Sequence, residues 1–254
     1  MSGRPWVLGE APWSVVDQTP YEVAVLPWGA TEAHNRHLPY ATDTIQAERL
    51  CITAAGQAWE AGARTVVLPA VPFGVNTGQL DIKLCLNMNP STQAALLGDL
   101  VDALSRQRIG KLVIANGHGG NDFRQMIREL QPRTDVFLCA VNLYAIFDAR
   151  AYFDEPGDHA GELETSVMMH LAPELVLPLS EAGPGRVRRP RITGMRDRWV
   201  WAPRPWTTVT SDTGVGNPEA ASAEKGERYA AEVIRQMAGF LVELANANTS
   251  DLYE

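Results

Sequence analysis

The sequence of 254 residues predicts an α/β fold built on a mostly parallel sheet. Three observations predict it. Four short runs are rich in Val, Leu and Ile without polar alternation, as in strands covered on both faces. Longer segments with helical spacing lie between them, so strand and helix alternate as in βαβ units. The 21 glycines and 17 prolines fit many short connections.

The first strand is 22–28 (EVAVLPW), all but its first residue apolar. Residues 44–60 follow with Ile45, Ala47, Leu50, Ala54, Ala58 and Trp59 near helical spacing. The second strand is 65–71 (TVVLPAV). The stretch 92–108 carries Leu96, Leu97, Leu100, Val101 and Leu104 before a basic last turn, which marks a helix. KLVIAN at 111–116 is the third strand, 122–130 a short helix, and DVFLCAVNL at 135–143 the fourth strand. A helix from Glu162 to Leu171 is stopped by Pro173, and 220–244 forms a long terminal helix despite Gly226 and Gly239. Residues 178–215 fit neither pattern. They hold Pro and Gly punctuation, three of the seven tryptophans and seven arginines, and are expected to be a β-ribbon or a subunit contact. No linker or internal repeat interrupts the chain, so 1–254 is expected to be a single domain with that excursion.

Composition narrows the function. Lys and Arg number 22 against 30 Asp and Glu, a formal net charge of −8, which disfavours nucleic acid and anionic membrane as partners. The three cysteines, Cys51, Cys85 and Cys139, match no zinc module and no disulfide framework. No apolar run approaches the ~18 residues of a membrane span. The first residues lack a basic flank followed by an apolar run. The expectation is a cytoplasmic protein.

Open α/β sheets place their sites beyond the carboxyl ends of the strands. Three polar clusters fall there, and they hold four of the five histidines. The first runs from Glu32 through His34 and His37 to Asp43. A carboxylate, an imidazole and a second carboxylate form a ligand set for a divalent ion, and Asp43 has two oxygens with which to bridge two. The competing account makes Thr42 and Asp43 helix caps and the others loop residues. The second cluster is Asn116-Gly117-His118-Gly119-Gly120-Asn121, where the glycines allow a tight bend and close approach to a ligand. A plain glycine turn with a surface His is the competing account. The third is Asp158 to Ser166, with His159, Glu162 and Glu164 at a helix start. The helix dipole alone explains acidic residues there, but not the histidine. No GxSxG elbow or phosphate-binding glycine loop is present.

The segments LPWGATEAHNRHLPYATDT, ANGHGGN and DHAGELETS, with GVGNPEAASAEKG later in the chain, resemble the creatininase (creatinine amidohydrolase) family. These landmarks span about 25 to 226 in the family's order. The resemblance implies a three-layer α/β/α sandwich with a binuclear metal centre, and commonly a homohexamer. It assigns Glu32, His34, Asp43 and His118 as metal ligands, with Asp43 bridging two divalent ions (Zn, Mn or Fe). Creatinine-cleaving members carry a further carboxylate at the position of Gly120. Glu162 is the first candidate to replace it. Glu164 is the alternative, or it orients His159. A metal-activated water would attack a substrate carbonyl while His159 moves a proton to the leaving group.

The substrate class implied is a small cyclic molecule opened at a carbonyl. Creatinine-like amides and a formamide of a flavin precursor are two candidates. The stretch HNRHLPY also resembles the branch that hydrolyses 3-dehydro-scyllo-inosose by carbon–carbon cleavage. Asn76 and Gln79, with Asn87 and Asn89, are groups that pair with hydroxyls, or equally loop residues that satisfy their own backbone. With His37, Gly119 and Asn121 they make the expected substrate-binding set. A sugar or nucleotide binding protein is the non-enzyme reading, but it leaves the convergence of His and carboxylates unexplained.

Overall fold

The computed structural model describes residues 3–253. Four strands form one sheet: β1 Val23–Trp28, β2 Thr65–Val67, β3 Lys111–Asn116 and β4 Phe137–Asn142. Their order is β2-β1-β3-β4, and every pairing is parallel. The α-helices among the described residues are α1 Trp13–Val16, α2 Thr42–Glu60, α3 Pro90–Arg106, α4 Arg124–Leu130, α5 Glu162–Leu171, α6 Thr193–Arg196, α7 Trp206–Val209 and α8 Ala223–Asn246.

The strands alternate their side chains between two cores, as the two-residue period requires. Val23, Val25, Val67, Val113 and Ala115 face a cluster with Leu50, Ala54 and Ala58 of α2 and Val233, Met237 and Leu241 of α8. Ala24, Leu26, Trp28, Leu112 and Ile114 face the other side, against Leu97, Val101 and Leu104 of α3 and Met126 of α4. Because both faces are covered, the strands read in the sequence as unbroken apolar runs. This is the expected α/β/α layering. The second strand is shorter than 65–71, because Pro69 cannot donate to a ladder; a single parallel bridge, Val71 to Trp28, resumes the pairing.

Helix α8 packs along α5, and Gly226 makes the crossing possible. A β-carbon at Gly226 would lie closer than 3.0 Å to the carbonyl oxygen of Ser166. This contact explains the glycine inside an otherwise regular helix. The excursion at 178–215 is not a β-ribbon. It contains the single turns α6 and α7, and one isolated bridge between Val187 and Thr210. Its prolines and glycines leave too few consecutive donors for a ladder. Among the described residues, no helix is long and apolar enough to cross a membrane.

Candidate metal centre

Register brings the site together. Trp28, Asn116 and Asn142 pair in one row, so β1, β3 and β4 end at the same level. The chain leaves β1 through Gly29 and Ala30 to Glu32 and His34, turning at Asn35, which has a φ of 53°. Asp43 enters from the first turn of α2, where the helix dipole favours a carboxylate. His118 leaves β3 held by Asn116, whose side-chain amide donates to the His118 carbonyl and accepts from its N–H. His159 pairs its backbone with Val215. Glu164 lies in the first turn of α5.

Asp43 spans two imidazoles. Its Oδ1 lies 3.0 Å from His34 Nε2, and its Oδ2 lies 3.0 Å from His118 Nδ1. Glu32 Oε1 lies 2.9 Å from His118 Nδ1 and 3.7 Å from His159 Nδ1. Glu164 Oε2 lies 3.9 Å from His34 Nε2. The ligand atoms therefore form two sets that share Asp43: Glu32, Asp43 and His118, and His34, Asp43 and Glu164. Glu32, His34 and His159 form a third.

Each imidazole is oriented by a backbone carbonyl on its far side. His34 Nδ1 donates to the carbonyl of Glu32 (3.1 Å), His118 Nε2 to that of Val75 (3.1 Å) and His159 Nε2 to that of Ala33 (2.8 Å). The other nitrogen of each ring is thereby turned toward the cluster, which is how metal-ligating histidines are commonly held. Three carboxylates, three oriented imidazoles and nearly complete burial fit a divalent cation site.

The protonation of the cluster shows the same design. Burial alone would lower the pKa of His34, but the Asp43 carboxylate outweighs it and raises it to about 10. Burial likewise opposes the charge on His118, yet Glu32 and Asp43 hold it well above the ordinary range. Burial would raise Asp43, but His34 and His118 keep it far below. Protons on the histidines supply the positive charge that these carboxylates require.

Glu162 does not join the cluster, which corrects the first expectation for the missing carboxylate. It is fully buried on the other side of the α5 turn, paired with Lys225 and accepting from the Glu155 N–H. Residues two apart on a helix point about 200° apart, so Glu162 and Glu164 cannot share a site. Glu164 faces the cluster.

Most of the expected hydroxyl-reading groups are engaged within the protein. Asn76 donates to the carbonyls of Thr31 and Leu86, and so shapes its own loop. Gln79 donates to Glu32 Oε2. Asn121 accepts from Val75 N–H and Gln93 and donates to Asn116. His37 is buried against the Thr165 hydroxyl, and burial pushes its pKa down to about 4. Gly119 and Asn89 are the exposed members of that set, and Gly119 has open space at its α-carbon.

Sequence reasoning missed two neighbours. The Trp206 ring meets His159 edge-on with centroids 4.8 Å apart, and Arg204 lies over Trp206 while pairing with Asp158 at 2.7 Å. The excursion thus walls the site, a role that a Trp- and Arg-rich composition alone does not reveal. Tyr144, just past β4, lines a small cavity together with Glu164 and Gly117. Only its position after a strand end hinted at this.

A sequence profile described as Creatininase: Creatinine amidohydrolase matches residues 10–241. The chain belongs to the creatininase family. This family member is 28% identical over 229 residues to a protein of Mycolicibacterium smegmatis (strain ATCC 700084 / mc(2)155) named mycofactocin precursor peptide peptidase, covering 84% of this chain and 81% of that one. A crystal structure from Bacteroides fragilis NCTC 9343, provisionally described as a creatinine amidohydrolase, is 44% identical with a TM-score of 0.92, covering 98% of both chains. A solved creatinine amidohydrolase (creatininase) is 22% identical with a TM-score of 0.79, covering 96% of this chain and 99% of that one. Creatininases of this fold have been solved in zinc–zinc and manganese forms. The creatininase-family chain is a hydrolase, and its buried His and carboxylate cluster offers ligand atoms close enough together to hold a metal ion.

Proposed function

We propose that this protein is a binuclear metal hydrolase that opens a small cyclic substrate at a carbonyl, as creatininase opens creatinine. The sharing of Asp43 between two ligand sets carries the reading. Glu32 and His118 would hold one cation with Asp43, and His34 and Glu164 the other. When bound, such a pair makes a water nucleophilic near neutral pH and polarises a carbonyl oxygen. Zinc and manganese are the favoured ions, because relatives of the same fold hold them.

The chain's own residues do the rest. His159 uses Nε2 on Ala33, so Nδ1 is the nitrogen that takes a proton and delivers it to the leaving group. Trp206 and the neighbouring His34 ring, 4.1 Å from His159 between centroids, keep that imidazole in place and exclude water from it. Glu164 is the most exposed member, its side chain 20% exposed, which puts the entrance on its side. So enclosed a cluster suits a small molecule. A homohexamer with two ions per subunit, working in the cytoplasm, belongs to the same proposal.

One observation favours a second reading. Gly120 stands where creatinine-cleaving members carry a carboxylate, and Glu164 replaces it from another element. A changed ligand set fits a changed substrate, and the ring ketone of 3-dehydro-scyllo-inosose is that alternative. The deciding experiment loads the protein with manganese or zinc and follows turnover of creatinine, a formamidopyrimidine, 3-dehydro-scyllo-inosose and a short peptide. Turnover of creatinine or the formamidopyrimidine supports amide ring opening. Turnover of the inosose alone replaces it with carbon–carbon cleavage, and turnover of the peptide alone moves the protein to the activity its mycobacterial relatives are named for. An Asp43→Ala variant that still turned over any of them would remove the binuclear centre from the mechanism.

A further inference from the structure

Glu32 presents its two oxygens to different surroundings. Oε1 faces His118, His159 and His34. Oε2 faces away from them and accepts from the side-chain amide of Gln79. Both residues are buried, at 1% and 2% exposure, so water does not compete for this bond.

The orientation of the Gln79 amide is fixed by chemistry. A carboxylate only accepts, so the NH2 must face Glu32 and the amide oxygen must face away. That oxygen accepts the Cys85 thiol at 3.3 Å. The Cys85 sulfur in turn accepts the Ala33 N–H at 3.2 Å. The carbonyl of the same Ala33 accepts His159 Nε2. A continuous chain of bonds therefore runs Glu32–Gln79–Cys85–Ala33–His159, and Glu32 Oε1 and His159 Nδ1 face each other at its two ends. Hydrogen bonds within such a buried chain hold their members in one geometry.

We propose that Gln79 is a positioning residue that makes Glu32 a one-oxygen metal ligand, by holding Oε2 out of the cluster while Oε1 points into it. A carboxylate left free swings between one-oxygen and two-oxygen binding. Holding it to one oxygen keeps a coordination position open for water or substrate on the ion that Glu32 shares with Asp43 and His118. Gln79 lies in the short turn Thr77–Gln79 after β2, far from the other ligands in sequence. This inference rests on the metal-centre reading above.

The test uses cobalt(II) as a spectroscopic probe on the full-length protein. Visible absorption intensity of cobalt(II) falls as coordination number rises. Gln79→Leu keeps the volume and removes the donor. The expected result is cobalt bound in the same stoichiometry as wild type, with weaker visible absorption and affinity or turnover reduced roughly 10–100-fold. Gln79→Glu places a second acceptor against Glu32 and is expected to lower affinity further. Cys85→Ala cuts the chain one bond later, leaves the Gln79–Glu32 contact in place and should leave the cobalt spectrum near wild type. A Gln79→Leu protein that folds with an unchanged spectrum and affinity overturns the positioning role while leaving the metal centre standing. If Leu unfolds the metal-free protein, Gln79→Met supplies the same comparison with a more flexible apolar chain. Failure of wild type itself to bind cobalt would sink the metal-centre reading and this inference with it.

Discussion

Gly120 packs against His118 so tightly that a β-carbon on it would lie closer than 3.0 Å to the imidazole Nε2, and as close to the carbonyl of Val75. That carbonyl is the group His118 Nε2 donates to. A side chain at position 120 would therefore push apart the bond that aims His118 at Asp43. This chain cannot carry the creatinine-branch carboxylate without moving its own ligand.

Gly120→Glu should therefore subtract metal rather than add a ligand. The expected outcome is loss of at least one ion per subunit by elemental analysis, with no gain of creatinine hydrolysis. Gly120→Ala should show a milder form of the same loss. A Gly120→Glu protein that kept two ions and hydrolysed creatinine would show that the loop relaxes freely.

The two carboxylates of the HAGELE segment predict opposite phenotypes. Glu164→Gln removes the only carboxylate besides Asp43 in the set built on His34, so metal content should fall from two ions to one and turnover should collapse. Glu162→Gln weakens the pair with Lys225 and the acceptor of the Glu155 N–H. It should lower the melting temperature by several degrees and leave both ions bound. Equal metal loss from the two variants would contradict the geometry.

The alternating strands and helices were legible because both sheet faces are covered, which leaves only apolar residues at 23–28 and 112–115. Glu32, His34, Asp43 and His118 were legible as members of clusters at one sheet edge, and the family resemblance joined them into a set. The choice between Glu162 and Glu164 was not. Sequence shows two acidic residues in a first turn, but only the rotation of α5 decides which one faces the cluster. Asn76, Gln79 and Asn121 were ambiguous for a related reason. Amide side chains serve a ligand and a loop equally well: Asn76 donates to the backbone carbonyls of Thr31 and Leu86, while Gln79 and Asn121 bond side chains distant in sequence. The 178–215 segment was opaque because the fold of a Pro- and Gly-punctuated stretch is set by tertiary contacts, here Trp206 on His159 and Asn35 on Gly183.

Metal binding should release protons. His34 has its pKa raised from 6.5 to about 10 and His118 is raised well above 6.5, so both are charged near neutral pH without metal. A cation must displace those protons to take the nitrogens. Apparent affinity should therefore rise with pH, and titration calorimetry in buffers of different ionisation enthalpy should show proton release. The metal-free protein carries the matching signature. A raised histidine pKa stabilises the fold fully below about 6.5, and that contribution disappears as pH rises through about 10. Thermal unfolding without metal should weaken across that interval, and bound metal should abolish the slope. Affinity independent of pH, with no buffer-dependent heat, would contradict the charged histidines.

His159 separates proton transfer from metal binding. It is the one imidazole of the cluster without a contact to Asp43 within 4.0 Å, and among the described residues its carboxylate neighbour is Glu32, with Oε1 at 3.7 Å. His34 and His118 each contact Asp43 at 3.0 Å. On the proposed reading, an imidazole at that remove from Asp43 would act on the substrate rather than on the ions. His159→Ala should keep two ions per subunit while lowering kcat by about 10²–10⁴-fold. His159→Gln is the sharper variant, because it can still donate to the Ala33 carbonyl yet cannot carry a proton. Added imidazole should partly restore the turnover of His159→Ala if only a proton carrier is missing. Loss of an ion from both variants would instead make His159 the third ligand beside Glu32 and His34, and would leave the proton transfer to Glu164 at the entrance.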